Sequence, residues 1–225
     1  MAVRVDPIVS RWLPKPGGGL RRMAVLSDRD ARVWRELAGR IAGRVEDRLG
    51  GGVLANRTVG PGHRWRLAPV GLALRRARPA ARSVAGAAPF VLRTDVRAFY
   101  PSVDASVLYR SLRAATVDPD DADLASDMLE AWASLGHAGL PVGPAASAVL
   151  ANAVLAPVDA QLPDVRWLRW VDDYLVGLAS APAGDVVLDR IDHALVRLGL
   201  RRSEAKTFLA DGGAVRWPGA SSGIG

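Results

Sequence analysis

Three aspartates carry the clearest chemical signal in the chain. Asp95 closes an apolar run, Pro89-Phe90-Val91-Leu92-Arg93-Thr94-Asp95-Val96, and Asp172-Asp173 follow 77 residues later between Trp170-Val171 and Tyr174-Leu175-Val176. Apolar strands tolerate adjacent like charges only when something offsets them, and a bound cation does so. Hard divalent ions such as Mg²⁺ take carboxylate oxygens and complete their shell with waters or phosphates. Two such ions about 3.5–4 Å apart can activate an attacking hydroxyl and stabilise the leaving oxygen. Taken alone, Asp172-Asp173 reads equally as a turn, where Asp is favoured; Asp95 on a neighbouring strand is what argues for a metal site. His63, His137 and His193 lack ligand-like spacing and there is no cysteine, which argues against zinc and excludes thiolate sites and disulfides.

The elements that must position these acids are legible from periodicity and punctuation. Residues 1–20, with Pro7, Pro14, Pro16 and Gly17-Gly18-Gly19, read as a loose surface arm. Arg21–Val25 reads as a short strand. Ser27 or Asp28 caps a helix to about Leu49, with Val33, Leu37, Ile41, Val45 and Leu49 four apart on one stripe, ended by Gly50-Gly51-Gly52. Strand-like pieces surround Val53 and Trp65. A helix over 71–86 holds Arg75, Arg76, Arg78 and Arg82, candidates for nucleic-acid backbone contacts or simply a solvated basic face. After the strand ending in Asp95 come helices near 104–115 and 119–135, an apolar helix from Ala145 to about Leu155, a hairpin over 165–177 with Asp172-Asp173 at its turn, a helix over 185–198 and a last strand over 207–210. That order predicts an α+β fold, an antiparallel sheet with helices on one face and the other face open to a large ligand.

Composition agrees with such a ligand. The net charge is +7 and the pI about 10.8, carried almost entirely by arginine, with Lys15 and Lys206 the only lysines. A basic surface points to a polyanion, most simply nucleic acid. The uncharged stretch 138–158 is broken by Pro141, Pro144 and Pro157, and its helical part falls far short of the roughly 20 apolar residues needed to cross a bilayer. It reads as a core helix, with no membrane partner. Met1 leads into Arg4, Asp6 and Arg11 without an apolar signal core, so a cytoplasmic location is expected.

Four segments together resemble the palm motifs of reverse transcriptases. Leu92-Arg93-Thr94-Asp95-Val96-Arg97-Ala98-Phe99-Tyr100-Pro101-Ser102-Val103 is similar to the family's first palm motif. Arg169-Trp170-Val171-Asp172-Asp173-Tyr174-Leu175-Val176 is similar to its aspartate-pair hairpin. Gly139-Leu140-Pro141-Val142-Gly143-Pro144-Ala145-Ala146-Ser147 lies where the family has a Pro-Gln-Gly motif, and Leu198-Gly199-Leu200-Arg201-Arg202-Ser203-Glu204-Ala205-Lys206-Thr207 resembles the next one. Arg21-Arg22-Met23-Ala24-Val25 with Asp30 resembles the fingers segment. The resemblance implies a right-hand polymerase palm with partial fingers and no evident thumb: an arm over 1–20, a fingers-like segment over 21–88, the palm over 89–212 and a flexible tail over 213–225.

It also implies roles. Asp95 and Asp172 would hold two Mg²⁺ ions, with Mn²⁺ as an alternative, and Asp173 would complete the site. Tyr100, five residues after Asp95, would pack under the sugar and exclude a 2′-hydroxyl, or else simply pack with Phe99 in the core. Lys206 would stand near the leaving pyrophosphate as a general acid, a task lysine can be tuned for and arginine cannot. Arg21 or Arg22 would sit over the incoming triphosphate, where a guanidinium binds bidentately. Gly143 and Pro144 would shape the loop beneath the templating base, with Ser147 starting the helix behind it. The implied partners are a nucleic-acid template and primer, RNA and DNA, with deoxynucleoside triphosphates.

Two departures qualify the pattern. Val142 stands where many members have glutamine, as in bacterial reverse transcriptases of the abortive-infection and defence-associated kind, and puts ordinary templated extension in question. Only about 18 residues, rich in Gly and Ser, follow Lys206-Thr207, so either a partner, a noncoding RNA or a protein, supplies the thumb's grip, or the gene is truncated, or synthesis is poorly processive. A palm that binds nucleic acid or a partner without polymerising is the competing reading; another palm enzyme such as a nucleotide cyclase is disfavoured, because those lack the Gly-Pro segment that stands here at Gly143-Pro144.

Overall fold

The computed structural model describes residues 3–14, 18–60, 62–214 and 217. The chain divides into two compact units, one formed by Met1–Leu49, Asn56–Leu67 and Phe99–Val154, the other by Gly50–Ala55, Ala68–Ala98 and Leu155–Gly225.

The first unit begins with an antiparallel hairpin, β1 (Val9–Pro14) against β2 (Leu20–Val25), in the register Val9↔Val25 to Pro14↔Leu20. Half of it lies where the sequence suggests a loose arm. Between the two strands, Gly18 and Gly19 sit at φ +91° and +78°, which glycine adopts at no steric cost. Helix α1 (Asp28–Glu46) follows, capped by Ser27, whose hydroxyl accepts from the Asp30 N–H at 3.2 Å. Its buried stripe of Trp34, Leu37, Ile41 and Val45 packs with α5 (Pro119–Ser134), where Trp34 meets Trp132 edge-on with ring centres 5.1 Å apart. Two short strands, β3 (Thr58–Val59) and β4 (Arg66–Leu67), pair beside them. The short α3 (Phe99–Ser102) leads into α4 (Ala105–Ala114), capped by Asp104 accepting from the Val107 N–H at 2.7 Å.

The second unit is built on a four-stranded antiparallel sheet in the order β6-β7-β5-β8: β6 (Trp167–Trp170), β7 (Asp173–Leu178), β5 (Phe90–Asp95) and β8 (Phe208–Asp211). Side chains alternate across a strand. The register therefore puts Val91, Arg93 and Asp95 on one face with Gly177, Leu175 and Asp173, and Leu92 and Thr94 on the other with Val176 and Tyr174. Helix α2 (Val70–Gly86) lies over part of the carboxylate face, its Ala73, Ala77, Ala81 and Val84 clustered with Val91, Leu168, Trp170 and Leu175. Gly177 makes room for it: a Cβ there would stand 3.1–3.2 Å from Ala88 and Val84. The sequence suggests that α2 belongs to a fingers-like segment over 21–88; its four-residue alanine spacing instead makes a flat stripe that seats on this sheet. Helix α7 (Ala183–Arg197) packs on the opposite face, where a Cβ on Gly184 would be in van der Waals range of Leu178 and Leu209. Trp217 falls in the stretch expected as a free tail, yet it is buried in the α2 cluster; the rest of 215–225 lies outside the described residues. Helix α6 (Ala145–Asp159) begins in the first unit and ends in the second. Among the described residues, no helix is long and apolar enough to cross a membrane.

Candidate active site

The acidic constellation assembles at one end of the sheet in the second unit. Asp95 is the last residue of β5 and faces Asp173, the first of β7, as a direct cross-strand pair. Like charges so placed repel. Strands β6 and β7 are joined by two residues, Val171 and Asp172, so Asp172 is in the turn while Asp173 belongs to the strand. Val171 has φ +59°, a conformation that two-residue hairpins usually assign to glycine and that strains a β-branched residue. The turn is held at both carbonyls: Arg169 Nη1 donates to Val171 O at 2.8 Å, and the Val96 N–H donates to Asp172 O at 3.1 Å.

Two basic side chains answer two of the three acids. Arg93 donates to both oxygens of Asp173, Nε at 3.0 Å and Nη2 at 2.6 Å. Lys206 Nζ lies 2.9 Å from each oxygen of Asp95. The segment bearing Lys206 is stitched to the end of β5: the Ser203 N–H donates to Asp95 O at 2.6 Å, Arg97 N–H to Arg201 O at 2.8 Å, and Thr207 Oγ1 donates to Ser203 O while lying 2.7 Å from Thr94 Oγ1. Asp172 has no ion pair among the described residues. Burial, and then the Asp95 charge, push its carboxyl up to about 7. Burial raises Asp95 and Asp173 too, with Lys206 opposing the shift at the first and Arg93 at the second.

These donors suit a hard divalent cation held by few protein ligands. All three are carboxylates, and they are more charge than Arg93 and Lys206 can neutralise. No cluster of three His, Asp or Glu groups among the described residues forms a ready-made cage.

The same topology occurs in telomerase structures. The chain superposes on telomerase from Candida tropicalis in complex with a TWJ fragment of telomeric RNA with a TM-score of 0.62 and 12% identity, over 95% of this chain and 42% of that one. For the corresponding Candida albicans complex the TM-score is 0.59 and the identity 11%, over 96% and 43%. For apo Candida tropicalis telomerase truncated from its C-terminal domain they are 0.57 and 12%, over 94% and 52%. The fold is palm-like and resembles that of a reverse transcriptase. No family model matches the sequence, and no curated protein does either. The chain spans about half or less of the length of these structural neighbours.

The remaining residues singled out from sequence lie in the first unit. Arg21 and Arg22 are on β2, paired across the hairpin with Leu13 and Trp12, and Arg22 Nε donates to Ser10 Oγ at 2.6 Å. The neighbouring Ala24 N–H donates to Val142 O at 2.7 Å, which ties this strand to the Val142-Gly143-Pro144 loop. Gly143 sits at φ +123° with the Met23 methyl 3.0 Å from where a Cβ would be. A cavity of about 340 Å³ lined by Ala24, Trp34, Arg35 and Pro144 adjoins that loop. Tyr100 lies in α3, half-buried, its ring edge-on to Phe99 at 5.6 Å; its carbonyl accepts from the Leu140 N–H at 2.8 Å. Ser147 is fully buried and accepts from Trp34 Nε1 at 3.0 Å, so its hydroxyl serves the core of this unit.

Three contributors escape a reading of the sequence. Arg93 is detectable in principle, because it stands two residues before Asp95 and therefore on the same strand face. Arg169 and Trp217 carry no such signal. Arg169 is fully buried, donating to Asp159 through Nε at 2.8 Å and Nη2 at 2.6 Å, while Tyr174 OH donates to the same carboxylate at 2.8 Å. Burial is the largest influence and opposes the Arg169 charge, but Asp159, Tyr174 and Asp172 together outweigh it and hold its proton more tightly than usual.

Proposed function

We propose that this chain is the core of an RNA-directed DNA polymerase, adding deoxynucleotides to a 3′-hydroxyl by phosphoryl transfer. The observation that carries the reading is the convergence of Asp95, Asp172 and Asp173 at one sheet end, with Lys206 bonded to Asp95. Asp95 and Asp172 are the residues that would hold two Mg²⁺ ions, with Asp173 kept in place by Arg93. When bound, such ions lower the pKa of the attacking hydroxyl and neutralise charge on the leaving pyrophosphate. Lys206, largely exposed at its side chain, is free to turn from Asp95 toward a phosphate and deliver a proton there. Tyr100 is the candidate that excludes a 2′-hydroxyl, and Arg21 or Arg22 the candidate for the triphosphate. Gly143 and Pro144 would shape the template loop, with Ser147 holding the helix behind it. The partners in this reading are template, primer and deoxynucleoside triphosphates, with RNA favoured because two of the neighbours were captured with telomeric RNA. Val142 in place of glutamine supports a defence-type enzyme with relaxed template dependence, with a noncoding RNA or a protein as a further partner.

The deciding experiment is incorporation of labelled deoxynucleotides by the purified protein in Mg²⁺, with and without a primed RNA template, with Asp172→Asn as control. Product that needs both the template and Asp172 supports the reading. Product without template keeps the chemistry and moves it toward untemplated synthesis. One observation favours a second reading, a palm that binds nucleic acid without polymerising: Lys206 and Arg93 already neutralise two of the three acids. RNA binding unchanged by loss of Asp95 and Asp172, with no incorporation under any priming condition, would establish it.

A further inference from the structure

Helix α2 is a cationic element with no acidic residue of its own. Its sequence holds Arg75, Arg76, Arg78 and Arg82. All four arginines are exposed. Elsewhere among the described residues arginines are repeatedly answered by acids: Arg29 by Asp6 and Asp30, Arg40 by Asp121, Arg57 by Glu46, Arg190 by Asp164 and Arg202 by Asp192. None of the α2 arginines has an ion pair there. Exposed arginines without an ion pair occur elsewhere too, Arg11, Arg32 and Arg110 among them; what sets α2 apart is three on one stripe of a helix that carries no acid.

The geometry of the face is regular. Arg75, Arg78 and Arg82 stand at i, i+3 and i+7, one stripe of a helix, opposite the Ala73, Ala77, Ala81 and Val84 stripe that seats on the sheet. From Arg75 to Arg82 the helix rises about 10.5 Å. Over that axial length one strand of a duplex presents about three phosphates. The sheet face beneath α2 is the one that carries Arg93, Asp95 and Asp173. The ridge lies on the solvent side of α2, in the same unit as those carboxylates, and is open to a polyanion.

We infer that the Arg75–Arg78–Arg82 ridge of α2 binds the phosphate backbone of the nucleic-acid duplex on which the palm acts. This rests on the polymerase reading and adds to it a duplex-gripping surface within the palm unit itself. The contacts are to phosphate, so they set affinity and position without reading sequence. Arg76 points away from the stripe and contributes less.

The test is fluorescence anisotropy with a labelled RNA–DNA hybrid duplex across 50–200 mM salt, comparing the parent chain with R75Q/R78Q/R82Q and R75K/R78K/R82K. Each lost phosphate contact flattens the slope of log affinity against log salt by about 0.9, so the glutamine variant loses about 2–3 from that slope and the lysine variant keeps most of it. The three side chains are exposed and unpaired, so the far-ultraviolet dichroism of both variants should match the parent. In the incorporation assay the glutamine variant shows a raised KM for primed duplex with kcat held. An unchanged salt slope in a protein that still incorporates nucleotides overturns the ridge and leaves the polymerase reading standing. A parent chain with no affinity for the duplex overturns both. Loss of binding to phosphatidylserine vesicles in the glutamine variant, with duplex binding intact, overturns the inference and reassigns the face to an acidic membrane surface.

Discussion

The hairpin that presents Asp172 depends on a buried ion pair, and replacing Arg169 with methionine measures that dependence. Arg169 is wholly excluded from solvent and spends three donors on two tasks: two on Asp159, one on the carbonyl of Val171. Methionine fills much of the same volume and removes all three. Asp159 then keeps only Tyr174 OH, a neutral donor, for a buried negative charge. Breaking a buried pair from one side costs about 3–5 kcal/mol, because the surviving charge is uncompensated. Val171, held at φ +59° by the same guanidinium, gains a route out of a conformation that costs about 1–3 kcal/mol. The single variant should therefore lose about 3–5 kcal/mol in urea unfolding, and most of that loss should return in R169M/D159L, where both charges are gone. Asp159→Leu alone should cost a similar amount for the mirror reason. If Arg169→Met costs less than about 1 kcal/mol, or if the double variant is as unstable as the sum of the singles, the pair is not what holds this turn. Nucleotide incorporation, measured where the single variant is fully folded, should fall as well, since Asp172 follows the released Val171 directly.

Other outcomes follow from the same structure. The Asp172 carboxyl is raised from 3.8 to about 7 in the folded protein, so the native state binds this proton more tightly than the unfolded chain. The stability that this proton contributes is complete below about pH 4 and is lost as pH rises through about 7. Each tenfold gain in proton affinity is worth about 1.4 kcal/mol, which puts the whole effect at about 2–4 kcal/mol after allowing for partial exposure. Metal-free Asp172→Asn should therefore gain thermal midpoint relative to the parent as pH rises from about 5 to about 8; parallel curves would remove the claim that this acid is held at a cost. Gly177→Val should destabilise by about 1–3 kcal/mol in chemical denaturation, because Val84 and Ala88 already stand within 3.2 Å of a Cβ and α2 would have to lift. Lys206→Ala should lower the rate of incorporation by about 10²–10⁴ if the ammonium is the proton donor. Lys206→Arg should recover little of that, and recovery to parental rate would assign Lys206 a purely electrostatic role. Tyr100→Ala should admit ribonucleotides in a single-addition assay, and unchanged sugar discrimination would return Tyr100 to core packing with Phe99.

Much of this protein was determined by local sequence. The four-residue apolar stripe of α1, the Ser27 cap, the buried run into Asp95 and the apolar flanks of Asp172-Asp173 all follow from short-range rules, and the fold class follows from their order. Even the approximate position of Lys206 after the last turn could be read along the chain. Tertiary structure decided what those rules cannot reach. Residues 9–14 are a strand because they pair with 20–25, and an isolated Pro- and Gly-rich stretch shows no such partner. Helix α2 departs from the fingers-like segment because a helix's unit is set by which surface its alanines fit, here the notch at Gly177. The partners of the acids were equally hidden: Arg93 and Asp173 are 80 residues apart in sequence, Lys206 and Asp95 111, and no periodicity spans such gaps. Arg169 and Asp159 form their pair only because the fold excludes water around both. Burial sets the protonation of Asp172, and burial belongs to the folded chain alone.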